Sequence, residues 1–497
     1  MRKKDFLLVL LIFSVPLVDA LWHNYVVDDA FISFRYARNL SRGMGLVFNP
    51  DERVEGYTNF LWILLLTPAF WLKIDPLFFS RIFSTASGFA TLFLLVRFQS
   101  NRKRFQNNII YIAPLLCAFN ASFSVWLLSG METHLFTFLL TWGILSFLDR
   151  RVGEGDKWSL LLVLASLTRP EGLLFLAIAW VISISERVAK RESIFGKETL
   201  KEVLPFIALY LPYLGWKMSY YGALLPNTFH AKVGSSASQV WRGLVYVKSF
   251  VEMSGGVVFG LPLLLAISHH GRRLLRVSLS FLLPYVVYVI LVGGDSMVKF
   301  RFLLPILPTA YLLVGESIGW TGSLVKNLKR SSLLVITLSI SSVFLTVDLN
   351  RSLVEKRREM VSDWIDTGKW LAANYNPDTV IAYGAIGALP YYSDLYTIDI
   401  FGLTDPHIAR REVTGMGKGL PGHEKADGAY VLFREPDIIL PKVILTDKPP
   451  DENRLGILFS GSRAEREIWM HPSFRKRYSP VVVKLKRGYL TFFSRGE

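Results

Sequence analysis

The sequence predicts a polytopic α-helical membrane protein of about eleven transmembrane helices with a C-terminal extracytoplasmic α/β domain. Three observations predict it. The 497 residues are 51% hydrophobic, with a mean hydropathy of +0.35. Apolar runs of roughly 15–20 residues, the length that crosses a hydrocarbon core, recur through the first 350 positions. Beyond residue 348 the composition turns polar, with Gly and Pro punctuation. The expected domains are therefore 1–347, the membrane unit, and 348–497, the soluble unit.

The formal net charge is +16. In a soluble chain that excess would suggest nucleic acid. Here the basic residues gather in short loops between apolar runs, as in Arg2-Lys3-Lys4, Arg102-Lys103-Arg104, Arg272-Arg273 and residues 326–330, so they read as topology signals, with no nucleic-acid partner. Cys117 is the sole cysteine and lies in an apolar run, so no disulfide forms within the chain. The first apolar run, Phe6 to Trp22, has a basic start, and Val18-Asp19-Ala20 loosely resembles a cleavage site. Its length favours a retained helix.

With the N-terminus inside, the loop from His23 to Thr58 lies outside. The segment Asn59–Leu72 lies at the interface or re-enters. Crossings follow at about Leu77–Val96, Ile109–Leu127 and Leu135–Leu148. Trp158–Ser185 is interrupted at Thr168-Arg169-Pro170-Glu171-Gly172 and is flanked by basic loops. It therefore folds as a helical hairpin with Arg169 and Glu171 at its outer tip. The remaining crossings are expected at about Glu202–Trp216, Gly255–Ser268, Val277–Val292, Phe302–Trp320 and Ser332–Val347. Basic bias alone built this topology. It still puts Asp28-Asp29, Glu132–His134, Arg169–Glu171, Asn227–Lys232 and Asp295–Arg301 on one side, where a single site can form. In the tail, Asp363–Asn374 has an amphipathic helical pattern, and 379–383, 395–400, 437–440 and 481–485 read as strands.

The acid pair Asp28-Asp29, just past the first apolar segment, is the leading catalytic candidate. Acids at a loop end often only cap a helix. An ionised carboxylate at a membrane boundary can also take a proton from an acceptor hydroxyl as a leaving group departs. Two adjacent acids cannot easily face one substrate, so one acts as base and the other orients it or holds a cation. Arg35 shares a helical face with Asp28, for acid pairing or phosphate contact. Glu55 and Tyr57 are candidates for substrate binding, with Tyr57 also suited to an interfacial belt. Arg169 and Glu171 either pair with each other or meet substrate. Asn227, His230 and Lys232 form a polar patch in an outer loop. Gly293-Gly294-Asp295 with Lys299 and Arg301 suits a phosphate headgroup: glycines admit a close approach, and cations outside run against the topogenic bias. Lys232, Lys299 and Arg301 are the candidate donor-phosphate ligands, and Asp295 lines the same site.

No phosphate-binding Gly-rich loop with Gly-Lys-Ser/Thr occurs, nor any His-Glu-x-x-His or Cys/His cluster, so no metal site is assigned. No cofactor is required by any motif. A divalent cation beside Asp28-Asp29 is compatible with the acids but has no support from ligand spacing. An outward-facing site implies a donor carried on a lipid.

These blocks carry a resemblance. Asp28-Asp29-Ala30-Phe31-Ile32-Ser33-Phe34-Arg35-Tyr36-Ala37-Arg38-Asn39-Leu40 is followed by Gly43-Met44-Gly45-Leu46-Val47-Phe48-Asn49-Pro50 and Val54-Glu55-Gly56-Tyr57-Thr58-Asn59. Together they resemble the GT-C class of polyprenyl-phosphate-dependent glycosyltransferases, above all the actinobacterial terminal β-(1→2)-arabinofuranosyltransferase family. Leu167–Gly172, Pro226–Phe229, Gly293–Asp295 with Arg301-Phe302, Ile398-Asp399, Gly402–Asp405 and Pro421–Lys425 extend the match nearly end to end. The resemblance implies a GT-C fold, Asp28 or Asp29 as general base, inverting transfer from a polyprenyl-monophosphate sugar, and a C-terminal domain able to bind carbohydrate. Ser296-Met297-Val298-Lys299-Phe300-Arg301 lacks the glycine, proline and histidine of the family pattern, which leaves arabinose open as the donor sugar.

The expected function is sugar transfer from a polyprenyl-phosphate donor to a cell-envelope glycan or glycolipid acceptor. The enzyme would sit in the bacterial cytoplasmic (inner) membrane among its lipids, with the site facing the periplasm. The rival is a transporter or flippase for a lipid-linked glycan, which would favour internal repeats that the sequence does not display. A non-catalytic scaffold of polysaccharide assembly is the third reading.

Overall fold

The computed structural model describes residues 3–101, 111–150, 157–324 and 351–496, apart from 233, 235, 255, 269, 270, 414 and 442–444. The crossing expected at 332–347 and the basic runs 102–104 and 326–330 lie outside the described residues.

The chain enters through α1 (Lys3–His23), bends at Asn24, and starts α2 (Asp28–Ser41). A loop leads to α3 (Phe60–Trp71), the segment read as interfacial. Helix α4 (Pro76–Asn101) opens with Asp75, whose carboxylate accepts from the Phe78 amide at 2.8 Å, and with Pro at its first position. Next come α5 (Ile112–Ala118) and α6 (Ala121–Leu127), split at Asn120. The Asn120 side chain caps α6 through the Ser122 amide and donates to the Tyr311 hydroxyl at 3.0 Å. Helix α7 (Thr133–Asp149) runs back, and α8 (Lys157–Thr168) and α9 (Gly172–Ala189) form the expected hairpin. Gly172 is required there, because an added Cβ would lie 2.4 Å from the Ser166 nitrogen.

The bundle continues through α10 (Lys197–Pro205), a π-helical turn at Phe206–Tyr210, α11 (Leu211–Tyr221), the short α12 (Asn227–Lys232), α13 (Ala237–Met253), a 3₁₀ stretch at Gly256–Ala266, α14 (Gly271–Leu291) and α15 (Leu307–Leu324). Among the described residues, five helices are long and apolar enough to cross a membrane, or six if the bent pair Ala237–Met253 and Val258–Ala266 is one span. That is fewer than the sequence led us to expect. The shortfall lies in expected crossings built from short or broken helices, such as α5 with α6, α7 and α8. Helix α13 was not anticipated, because Arg242, Lys248 and Glu252 interrupt its apolar pattern.

The C-terminal unit begins with a long helix, Arg351–Asn374, reaching twelve residues further back than its amphipathic signal. Strands β1 (Val380–Tyr383), β2 (Tyr396–Asp399), β3 (Ile438–Ile439), β4 (Tyr478–Leu485) and β5 (Gly488–Arg495) form one sheet in the order β2-β1-β3-β5-β4. β1 runs parallel to β2 and β3, and the β4–β5 hairpin joins antiparallel. The sequence reading missed β5, which turns back directly after Arg487. Phe459, Phe474 and Phe493 pack one core of this unit, and Trp62, Trp126 and Trp158 are fully buried in the bundle.

Candidate active site

The acid pair opens α2. Val27 is extended (φ −107°, ψ 144°) and offers no side-chain cap, so the two carboxylates occupy the first turn, where the helix dipole favours them. Successive helical residues point about 100° apart, so the two acids face different partners. Asp28 turns to the C-terminal unit. Its Oδ1 accepts from the Ala388 amide at 2.7 Å and its Oδ2 from the Gly387 amide at 3.1 Å, capping the short helix Ala388–Ser393. Burial pushes its pKa up to about 7, against the two amide bonds that lower it. Asp29 makes no hydrogen bond or ion pair among the described residues.

Asp29 shares its surroundings with groups from four other segments. Tyr25 lies in the electrostatic reach of Arg357, Asp29, Arg301 and Asp295, and burial holds its hydroxyl well above the ordinary range. His423 lies in that of Lys232, Asp29 and Arg357. Arg301 donates through Nε to Asp295 at 2.9 Å, and its two Nη atoms make no hydrogen bond among the described residues. Its guanidinium sits 5.7 Å from the Trp126 ring and 5.3 Å from that of Phe302. Tyr25 packs edge-on to the same Trp126 at 5.7 Å. Tyr25 and His423 thus each feel Asp29 and Arg357, joined by Arg301 at Tyr25 and by Lys232 at His423.

Beneath lies a closed charge network. Arg169 donates to Glu132 at 2.7 Å and to Glu171 at 3.0 and 3.3 Å. Asn59 donates to the other Glu132 oxygen at 2.8 Å and to Ser33 at 2.9 Å, and Tyr288 reaches Glu171 at 3.4 Å. All three ions are buried. Their bonds are mutual, so they brace α7, the α8–α9 turn and α14 under the site.

The other candidate residues make contacts within the protein. Arg35 pairs with no acid among the described residues. It donates to the carbonyls of Phe48 (2.8 Å), Pro390 (2.6 Å) and Leu395 (2.8 Å) and to the Asn49 side chain (3.2 Å), which leaves it committed to joining the two units. Asn227 does the same at Gly402 (2.8 Å) and Leu403 (3.1 Å). Lys299 does not join Asn227–Lys232 or Asp29. It is buried in a left-handed conformation (φ 56°), within reach of Asp19 on α1. Glu55 forms a separate buried pair with Lys217 at 2.8 Å, with the Tyr213 hydroxyl at 3.3 Å, and burial raises its pKa despite that pairing. Tyr57 meets Tyr221, hydroxyl to hydroxyl, at 3.2 Å. His230 lies in the electrostatic reach of Arg410 and Lys425.

Sequence reasoning singled out neither Tyr25 nor Arg357, and it quoted His423 only within a motif. Tyr25 stands three residues before the acid pair, a proximity that could have flagged it. Arg357 and His423 carry no local signal. Among the described residues, no three His, Cys, Asp or Glu side chains form a possible metal site.

Nearly the whole chain superposes on ArnT from Cupriavidus metallidurans, solved bound to undecaprenyl phosphate: TM-score 0.60, 11% identity, covering 99% of this chain and 98% of that one. It also superposes on the mycobacterial arabinofuranosyltransferase AftD, with TM-score 0.52 and 14% identity over 98% of this chain and 40% of that one. The chain has the GT-C fold. In sequence, this GT-C chain is 29% identical over 337 residues to the terminal beta-(1->2)-arabinofuranosyltransferase of Corynebacterium glutamicum, covering 57% of this chain and 46% of that protein. It is 28% identical over 248 residues to the protein of the same name from Mycobacterium tuberculosis, covering 46% and 38%. These alignments thus span less than half the length of either relative. Residues 351–492 match a family described as a domain of unknown function, DUF8728.

Proposed function

We propose that this protein is an inverting membrane glycosyltransferase of the cell envelope. It moves a sugar from a polyprenyl-phosphate donor to a glycan or glycolipid acceptor at the extracytoplasmic face of the bacterial inner membrane. The observation that carries the reading is Asp29, a carboxylate with no hydrogen bond or ion pair among the described residues, whose charge acts on Tyr25 together with Arg301 and Arg357 and on His423 together with Lys232 and Arg357. Asp29 takes the proton from the acceptor hydroxyl while that oxygen attacks the anomeric carbon. The bond to the phosphate oxygen breaks, and Lys232, Arg301 and Arg357 stabilise the charge that develops on the polyprenyl phosphate. A single displacement inverts the anomeric centre. The bound undecaprenyl phosphate of the ArnT structure and the names of the two sequence relatives support a lipid-linked donor, with a pentose such as arabinofuranose the first to try. Tyr25, which feels the charges of both Asp29 and Arg301, would donate to a phosphate oxygen.

The test uses purified protein in detergent, a polyprenyl-phospho-arabinofuranose donor and an arabinofuranosyl oligosaccharide. Covalent transfer by the wild type that is lost in Asp29→Asn, with donor binding retained, supports the reading. Transfer unaffected by Asp29→Asn refutes the base. A lipid-glycan transporter would give no covalent product in detergent.

A further inference from the structure

The C-terminal unit reaches back to the site through the loop Met416 to Lys425, and the bundle fixes its shape. Ser236 donates to the Met416 carbonyl. Arg242 donates to the Gly419 carbonyl at 2.7 Å and contacts Glu424 at 3.3 Å. Glu424 Oε1 in turn accepts from the Gly417 and Gly419 amides at 2.7 and 2.8 Å. Two left-handed glycines let the loop lie against the bundle. A Cβ on Gly417 would fall 2.4 Å from the Gln239 nitrogen, and one on Gly422 would fall 3.2 Å from the Lys232 Cε.

This loop presents His423. Its Nδ1 lies 3.1 Å from the Pro421 carbonyl. A carbonyl only accepts, so Nδ1 carries the proton and Nε2 keeps its lone pair. Phe401 holds the ring edge-on at 4.6 Å. The charged groups facing it are Asp29 from α2, Lys232 from α12 and Arg357 from the helix Arg351–Asn374. Its loop neighbours are occupied elsewhere: Glu424 as above, and Lys425 at the Ala409 carbonyl, 2.7 Å away. Burial, then Lys232 and Arg357, hold the imidazole below its ordinary pKa, so it is neutral at physiological pH. A neutral ring that offers only a lone pair repels a phosphate oxygen and attracts a hydroxyl.

We propose that His423 is an acceptor-binding residue: its Nε2 accepts a hydrogen bond from a second hydroxyl of the acceptor sugar, beside the hydroxyl that Asp29 deprotonates. Recognition of the acceptor is thus shared between the membrane bundle and the C-terminal unit. The inference rests on the glycosyltransferase reading and names which substrate this face of the site holds.

The experiment uses the full chain in membranes of a deletion strain complemented with each variant. The endogenous polyprenyl-phosphate sugars serve as donor, and envelope glycan purified from the deletion strain is titrated as acceptor. His423→Ala should raise the acceptor KM about tenfold with little change in kcat. His423→Gln, whose side-chain oxygen can accept near the Nε2 position, should recover most of that loss. Wild-type acceptor KM should rise as pH falls through the His423 pKa, because a protonated Nε2 cannot accept, and His423→Gln should remove that rise. Binding of undecaprenyl phosphate should be unchanged in both variants. If His423→Ala misfolds on a detergent melting curve, the glutamine variant and the wild-type pH dependence still decide. An unmoved acceptor KM, or a loss confined to undecaprenyl phosphate binding, overturns the assignment. Absence of any transfer by the wild type overturns the glycosyltransferase reading itself. Transfer lost in Asp29→Asn but insensitive to His423 overturns this inference alone.

Discussion

Asp28 caps a helix 360 residues away in sequence: its carboxylate accepts the Ala388 amide at 2.7 Å. Its neighbour Asp29 has no such partner among the described residues. One acid of the pair joins the two units, and the other is left without a hydrogen bond or ion pair among the described residues.

The two asparagine variants should therefore fail differently. Asp29→Asn should lower kcat by about a hundred- to ten-thousand-fold, as for loss of a general base, with its melting temperature in detergent kept. Asp28→Asn replaces one acceptor oxygen by an amide nitrogen facing an N–H. It should destabilise the protein by about 1–3 kcal/mol, the cost of leaving a buried donor without its acceptor. Residual turnover per folded molecule should remain. Reversed phenotypes would make Asp28 the base.

Gly387 is the counterpart of Asp28. A Cβ there would meet the Asp28 carbonyl oxygen at 2.0 Å, backbone against backbone. Gly387→Ala should lower the melting temperature more than Asp28→Asn does, and a double mutant should show strong non-additivity between the two.

The Asp28 carboxyl also gives a pH signature. Its folded pKa, about 7, lies above its unfolded value of 3.8. The folded state therefore binds the extra proton between those limits, and this group's contribution to stability falls as pH rises from about 4 to 7. Melting curves of wild type and Asp28→Asn should converge over that interval. Divergence would mean that the two amide bonds outweigh burial and keep the acid ionised.

Arg169 holds two buried carboxylates. Removing it as Arg169→Met leaves Glu132 and Glu171 facing each other uncompensated and should cost about 3–5 kcal/mol. Adding Glu171→Gln to that variant should recover part of the loss, read as folded yield from membranes.

The donor side separates from this framework. Lys232→Ala and Arg357→Ala should each weaken undecaprenyl phosphate binding about tenfold and reduce its salt dependence. Lys299→Ala should not, since that lysine stands with Asp19 instead. Equilibrium binding at two ionic strengths reads all three.

Much of the architecture was legible because it follows from local chemistry. Apolar runs gave α1, α4, α9, α14 and α15. Arg169-Pro170-Glu171-Gly172 gave the hairpin, since proline and a glycine with no room for a Cβ can turn only there. Short β-like runs among Gly and Pro punctuation gave β1, β2, β3 and β4. Helix α13 and strand β5 were hidden. Charges interrupt the apolar pattern of α13, and β5 directly follows the β4 turn.

The sequence by itself determined a helical membrane bundle, an acid pair after the first helix and a polar tail of domain size, because length, hydropathy and residue type act over a few turns of chain. Only the tertiary structure decided which acid lacks a partner among the described residues, that Arg35 and Asn227 donate to carbonyls across the two units, and that Arg357 and Asp29 act on the same His423. Those outcomes depend on which backbone donors and acceptors happen to meet across hundreds of residues, and no local pattern encodes that meeting.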